Sequence, residues 1–344
     1  MQSGEQRMTP HNRPTLGKKE EKAALQVLRS GWVAQGKAVE AFENEMCRVL
    51  GLPMGCAVAV SSGSAALFLS LLALEAQGKN VAYPAHTCAA LRNATALAGG
   101  NSILIDSEEK SPNIDINHLS TEAIDIAIIP HMYGLPVNLS NRPSSIQIIE
   151  DCAQALGASV NGVPVGLQGD IGIFSFYATK LITSGGQGGM VVSKNHSIIQ
   201  FIRDYLLFDQ RHDAKIRFNF QMTDVQGAIG LIQLKQLPYF IKRRQEIFQQ
   251  YEDANLSLLQ SAENSQQVPY RAIMLTQQQS KVINALKSQH VNAVIPLKEE
   301  HLLGLPTLFP NAYQWTQQTV SLPIYPTLAN EEVQRIIKII KNIT

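Results

Sequence analysis

Three short stretches carry side chains that an apolar core would not select, and each adjoins a run that reads as a strand. Glu150-Asp151 closes the apolar run 146–149. A carboxylate at the end of a buried strand needs a cation or a hydrogen-bond donor to offset its desolvation. Taken alone, an Asp there is more often a turn cap. Lys180 ends the aromatic-rich stretch Phe174-Ser175-Phe176-Tyr177-Ala178-Thr179-Lys180. Alone, such a lysine reads as an exposed side chain; partly buried, its amine loses protonation free energy and becomes a nucleophile toward carbonyls. Ser61-Ser62-Gly63-Ser64-Ala65 joins a strand to a helix. Small residues with free N–H groups at a helix N-terminus make a phosphate site, although an ordinary Ser N-cap is the commoner use of such a sequence.

Each signal is weak by itself, and their combination carries the argument. Open α/β sheets bind ligands at the carboxyl ends of their strands. There the three stretches supply a phosphate cradle, a carboxylate and a nucleophilic amine. Pyridoxal 5'-phosphate (PLP) requires all three: a helix N-terminus for its phosphate, an Asp for its pyridinium nitrogen and a Lys for its aldehyde, bonded as a Schiff base. Two glycine motifs do not fit other nucleotide sites. Gly31-Trp32-Val33-Ala34-Gln35-Gly36-Lys37 has the P-loop spacing, but Ala38 stands where a magnesium-binding hydroxyl is needed and no apolar strand precedes it. Gly185-Gly186-Gln187-Gly188-Gly189 leads into a strand rather than a helix, so it lacks the dinucleotide-binding context.

The elements that must hold these residues alternate. Segments 57–60, 80–83, 102–105, 124–129, 146–149 and 190–193 read as strands; 64–77 and 86–98 read as helices. Continuous β-branched runs suit a mostly parallel sheet covered on both faces, and the alternation predicts an α/β fold with right-handed crossovers. Helices dominate 196–255. Segments 272–275, 281–289 and 291–295 read as strand, helix and strand of a second unit, closed by an amphipathic helix over 331–343. Pro238 interrupts the pattern and sets the expected boundary: a large domain over 1–237 and a small α+β domain over 238–344. A helix over 18–29 is expected to pack beside the small domain.

The chain has 344 residues, 45% of them apolar, enough for a large core. With 29 basic and 28 acidic side chains its net charge is +1, so no global field draws it to nucleic acid or an anionic membrane, and any anion must be held locally. The polar stretch 1–14 does not read as a secretory signal, and no apolar run approaches the ~20 residues of a membrane span. Cys47, Cys56, Cys88 and Cys152 are scattered and read as reduced thiols of a cytoplasmic protein. His11, His118, His196, His212, His290 and His301 show no ligand spacing, so no metal is assigned.

From about residue 13 to 340 the sequence resembles the DegT/DnrJ/StrS family of PLP-dependent sugar aminotransferases. The matching stretches include Arg13-Pro14-Thr15-Leu16-Gly17, Ser62-Gly63-Ser64-Ala65-Ala66-Leu67, Tyr83-Pro84-Ala85-His86-Thr87, His131-Met132-Tyr133-Gly134 and Glu150-Asp151-Cys152-Ala153-Gln154-Ala155. The most specific runs from Gly169-Asp170 to Thr179-Lys180; Asn219-Phe220-Gln221-Met222 and Ser321-Leu322-Pro323-Ile324-Tyr325-Pro326 follow. The resemblance implies a fold type I transferase. It makes Lys180 the Schiff-base and acid–base residue, pairs Asp151 with the pyridine nitrogen, and puts Gln154 near the ring and its phenolic oxygen. Gly63, Ser64, Ala65 and Ser175 would hold the phosphate, and Asn219 would reach it from a partner subunit, which implies a homodimer with interfacial sites. The reaction implied moves an amine from glutamate or glutamine to a keto sugar, often nucleotide-linked, for surface polysaccharide or secondary-metabolite amino sugars. Lys180 argues against the dehydratase branch, which has His there.

Some positions depart from the family. Cys88 stands where an aromatic often stacks on the ring, Gln187 where an acid is common, and Gln221 where Arg is frequent. The loops 208–218 and 298–310 look short. His86 and His131 are candidates to line the substrate site, although His131 reads equally as a hydrogen-bonded core residue; Arg211, Lys215 and Arg217 form a basic group that is usually a solvated loop but at a dimer interface could meet a substrate phosphate. Competing readings are a PLP enzyme that acts on a cyclitol or catalyses dehydration, and a non-catalytic PLP-fold sensor.

Overall fold

The computed structural model describes residues 8–343; residues 1–7 and 344 of the expected domains lie outside it. Helices α1 (Lys18–Ser30) and α2 (Lys37–Leu50) lead into β1 (Ala57–Val60) and α3 (Gly63–Ala73). Then come β2 (Asn80–Pro84), α4 (Ala90–Leu97), β3 (Asn101–Ile105), β4 (Ile126–Pro130) and β5 (Gln147–Asp151). A short hairpin, β6 (Ser159–Val160) and β7 (Val163–Pro164), precedes β8 (Ile171–Ser175) and β9 (Gly189–Val192). Helices α5 (His196–Leu206) and α6 (Asp224–Asp253) follow.

Seven strands form one sheet in the order β1-β9-β8-β5-β4-β2-β3. Only β9 runs against its neighbours. Side chains alternate between two cores. Ala57 and Ala59 of β1 face Phe42 and Met46 of α2 and Leu234 of α6. Val58 and Val60 face Leu67 and Leu71 of α3 and Ile199 and Ile202 of α5. The expected mostly parallel α/β sheet, covered on both faces, is what forms.

The remaining elements are β10 (Ser265–Gln266), β11 (Ala272–Leu275), α7 (Gln279–Ser288), α8 (Pro310–Gln317), β12 (Thr319–Leu322) and α9 (Asn330–Lys341). β11 and β12 pair antiparallel, and α7, α9 and the second half of α6 pack against them through Val282, Ile336, Ile247 and Tyr251.

Four local expectations need correction. Pro238 does not end a helix: α6 runs unbroken from Asp224 to Asp253. Its Leu234 and Leu237 belong to the first core and its Ile247 and Phe248 to the last. Burial at both ends outweighs the one hydrogen bond that proline removes. Helix α1 packs on the first half of α6, where Glu20 accepts from Gln233 and Gln236; the residues before it, Thr9 and His11, are the ones that touch the small unit. Segment 291–295 is not a strand: Val291 and Val294 make isolated bridges to Thr9 and Ser321. Finally, α4 begins at Ala90 rather than 86, because Ala85 extends the β2–β3 pairing through its N–H to the Ile105 carbonyl.

Candidate active site

The sheet register brings the three stretches together. Val60 pairs with Gly189 and Gly189 with Ser175, so the end of β1 and the end of β8 flank the start of β9. Asp151, the last residue of β5, pairs with Ile173 of β8.

The loop after β1 is packed too tightly for side chains. A Cβ on Gly189 would lie 2.3 Å from the Ser62 carbonyl oxygen, and one on Gly63 would lie 2.8 Å from Ser175 Cβ. Ser62 caps α3, its Oγ accepting from the Ala65 N–H at 3.1 Å. The cap engages the Ala65 donor but not those of Gly63 and Ser64; among the described residues, neither N–H meets an acceptor. A Ser cap and a pair of unengaged N–H donors therefore coexist on one helix end.

Asp151 is 7% exposed. One oxygen accepts from the Ala153 N–H at 3.0 Å. Burial holds its carboxyl above the ordinary range, against the opposing pull of that N–H, Lys180 and His131. A further cation at this carboxylate would be strongly stabilised. Lys180 is half-buried, and its Nζ lies 5.5 Å from the centroid of the Tyr270 ring. Burial pushes the Tyr270 phenol up, but Lys180, Arg271, Arg244 and a hydrogen bond from Thr179 together outweigh it and leave the phenol below its usual value. Asn12 fixes the residue before the lysine through Nδ2 to the Thr179 carbonyl at 2.7 Å.

Gln154 is oriented by a chain of bonds. His86 is buried, with Nδ1 at 3.2 Å from the Ala312 carbonyl and Nε2 at 2.8 Å from the Tyr133 hydroxyl. A carbonyl only accepts, so Nδ1 carries the proton and Nε2 accepts from Tyr133. Burial pushes His86 down to about 4, which keeps it in that neutral form. The Tyr133 N–H in turn donates to Gln154 Oε1 at 2.9 Å, and the Gln154 amide nitrogen makes a contact of 4.0 Å to Met132 Sδ. Tyr133 holds this place at φ 60, a left-handed conformation costly for an aromatic residue. Gly134, which follows, has no room for a side chain: a Cβ would lie 1.8 Å from the Val268 carbonyl.

His131 serves a second buried group. Its Nδ1 accepts from the Val137 N–H and its Nε2 donates to Glu150 at 3.1 Å. Glu150 also accepts from the Gly166, Gln168 and Gly169 N–H groups. Burial raises its carboxyl, but His131 and these donors more than compensate and lower it. Cys152 lies beside them, where burial and the two neighbouring carboxylates drive its thiol far up. His86 and His131 thus orient neighbouring groups through bonds that engage both ring nitrogens.

Cys88 is exposed, and its thiol lies within the fields of Asp151 and Lys180; burial of the sulfur is the main cause raising its pKa. It lines a pocket of about 430 Å³ with Thr87, Arg92, Leu297 and His301. The segment after Lys298 closes this pocket, Leu303 donating to the Ala85 carbonyl. Asn219 is exposed, on a segment pinned beside β1 by the Ser61 N–H to the Phe220 carbonyl at 2.7 Å. Arg211 and Arg217 are not free cations: both pair with Asp204 and Asp213 in that segment. Sequence reasoning did not single out Tyr270 or Arg271, and no motif marks them; Arg244 falls in the Arg243-Arg244 pair that resembles the family.

Residues 14–341 match the sequence profile of the DegT/DnrJ/EryC1/StrS aminotransferase family. The chain belongs to that family. The family depends on PLP. GDP-perosamine synthase of Escherichia coli O157:H7 is 30% identical over 94% of this chain and 95% of its own. The structure of the aminotransferase TlmJ from Streptoalloteichus hindustanus superposes with a TM-score of 0.91, at 24% identity over 97% of this chain and 98% of that one. Spr1654 from Streptococcus pneumoniae, in its PLP form, gives 0.89 at 23% identity, over 98% of each chain. Among the described residues no helix is long and apolar enough to cross a membrane.

Proposed function

We propose that this member of the family is a PLP-dependent aminotransferase that moves an amino group from glutamate or glutamine to a nucleotide-linked keto sugar. The observation that carries the reading is that Asp151 and the bare N-terminus of α3 lie at the same end of the sheet, with Lys180 close enough to act on the Asp151 carboxyl. The residues fit the cofactor. Gly63 and Ser64 offer free N–H donors where a Cβ would collide with Ser175, and Asp151 is a buried carboxylate in need of a cation.

PLP, when bound, supplies an electrophilic carbon and an electron-withdrawing ring. The protein's part is to hold it and move protons. Gly63, Ser64 and Ser175 bind the phosphate. Asp151 keeps the ring nitrogen protonated, which a buried carboxylate does well because charge pairing is strong in a low dielectric. Gln154 presents its amide nitrogen to the phenolic oxygen. Lys180 Nζ takes a proton from the donor carbon and returns one, acting as both base and acid. In this reading the pocket beside Cys88 takes the sugar, and the name of the E. coli relative supports a nucleotide carrier.

A homodimer completes the site in this proposal. Asn219 is exposed, with its Oδ1 accepting from the Gln221 N–H, and around it Ile216 and Phe218 are 82% and 59% exposed. Apolar groups of this size in one segment are suited to burial against a second copy. The test is a half-reaction: enzyme loaded with PLP and mixed with L-glutamate loses its visible absorbance and releases 2-oxoglutarate. Wild-type protein that binds PLP yet converts no amino donor would refute the proposal, as would intact conversion by Lys180→Ala.

A further inference from the structure

Beyond Lys180 lie two arginines, Arg271 and Arg244, that pair with no acidic side chain among the described residues. Arg271 at the head of β11 stacks on the Tyr270 ring at 5.5 Å, the same distance at which Lys180 Nζ lies from that ring. Behind them Arg244 is fully buried; its Nη1 meets only the carbonyls of Pro269, Tyr270 and Ile324, and its Nε meets no acceptor. Among the described residues neither arginine forms an ion pair. The Arg271 Nη1 makes only two long contacts, 3.3 Å to His11 Nε2 and 3.4 Å to Ser321 Oγ. The Nε–Nη2 edge of its guanidinium has no acceptor among the described residues, and that edge matches a planar carboxylate in a bidentate fork.

The neighbours register these two charges. His11 is pushed down to about 3 by burial and then by Arg271 and Arg244. Arg244 is lowered to about 10 by burial, with Arg271 adding to the effect.

We propose that Arg271 seats the carboxylate of the α-amino acid donor beside Lys180, with Arg244 as buried positive charge behind it. The inference rests on the aminotransferase reading. Geometry selects a carboxylate over a sugar-linked phosphate. In an α-amino acid the carboxylate and the amine share one carbon, so the group that receives the carboxylate must flank the residue that handles the amine. Lys180 and Arg271 share one aromatic ring. The phosphates of a nucleotide-linked sugar lie several bonds from the carbonyl that is aminated, farther than a group flanking Lys180 would meet.

The test uses full-length, PLP-loaded wild type, Arg271→Gln and Arg271→Lys. The probes are L-glutamate, followed by loss of visible absorbance, and glutarate, a dicarboxylate with no amine, followed by calorimetry. Loss of a charge-assisted bidentate contact should weaken both probes by about ten- to a hundred-fold in Arg271→Gln. Arg271→Lys keeps the charge and should fall between. The Kd for PLP should not move in either variant. Equal glutarate affinity in wild type and Arg271→Gln, or none in wild type, overturns the inference. Should Arg271→Gln fail to fold or to hold PLP, the Arg271→Lys comparison decides on the same criterion. If wild type binds glutarate through Arg271 but transfers no amine from any donor, the aminotransferase reading fails and the carboxylate site stands.

Discussion

Replacing Gly63 by Ala should damage cofactor binding out of proportion to the one methyl group added. The new Cβ would stand 2.8 Å from Ser175 Cβ and 3.1 Å from its Oγ. Carbon atoms pack favourably at about 3.5–4.0 Å, so something must move by roughly 1 Å. Ser175 is held in β8 by pairing with Gly189, and its Cα lies only 3.5 Å from the added atom. The loop carrying the Gly63 and Ser64 N–H groups yields instead. Overpacking of this kind costs about 1–3 kcal/mol in stability. A donor displaced by roughly 1 Å no longer reaches an oxygen it would have met at about 2.9 Å. One charge-assisted hydrogen bond contributes about 1.5–3 kcal/mol, so the Kd for PLP should rise by about 10- to 150-fold. The assay is titration of cofactor-free protein with PLP for wild type, Gly63→Ala, Ser175→Gly and the double variant. With Ser175→Gly the obstructing side chain is gone, and the further cost of Gly63→Ala should nearly vanish. If Gly63→Ala binds PLP as wild type does, or if the two substitutions simply add, the steric reasoning is wrong.

Asp151→Asn should divide stability from function. The Asp151 carboxyl sits above its unfolded value, so the cofactor-free protein loses stability as pH rises from the ordinary carboxylate range through the raised folded value; the variant should melt higher at neutral pH without PLP, yet bind PLP more weakly. Glu150→Ala leaves His131 and three buried N–H groups without their acceptor and should cost about 3–5 kcal/mol in denaturant unfolding. His86, depressed from 6.5 to about 4, cannot take the proton that the unfolded chain takes. Stability should therefore fall as pH drops from about 6.5 to about 4, by about 3 kcal/mol from this residue; a melting-temperature profile for His86→Gln should be flatter across that window, and an unchanged slope would contradict it.

Buried strands declared themselves because both faces of the sheet are covered, which leaves continuous apolar runs such as 126–129 and 146–149. The ends of those runs pointed to Asp151, to Lys180 and to the loop at Gly63, because polar residues at such positions need a reason. Helix α2 was equally open to a periodicity reading, with Val39, Phe42, Glu43, Met46 and Leu50 on its buried face, although it carries no chemistry to draw attention.

What local pattern did not yield depended on distant contacts. Pro238 looks like a break because the proline's effect is local, whereas the two cores that keep α6 straight are contributed by residues far away in the chain. Arg211 and Arg217 read as available cations until folding set Asp204 across from them. His86 and His131 looked like ligands for a substrate; their partners, Ala312 and Glu150, decide that they orient Gln154 and a buried carboxylate instead. Tyr270 and Arg271 carry no motif, and only the packing of Tyr270 into the first core brings them to Lys180, about ninety residues away in the chain. Sequence alone determined the elements and the reactive groups at the strand ends, since backbone propensity and burial are properties of neighbours in the chain. Tertiary structure decided which charges are compensated, since desolvation and ion pairing depend on residues that only folding makes adjacent.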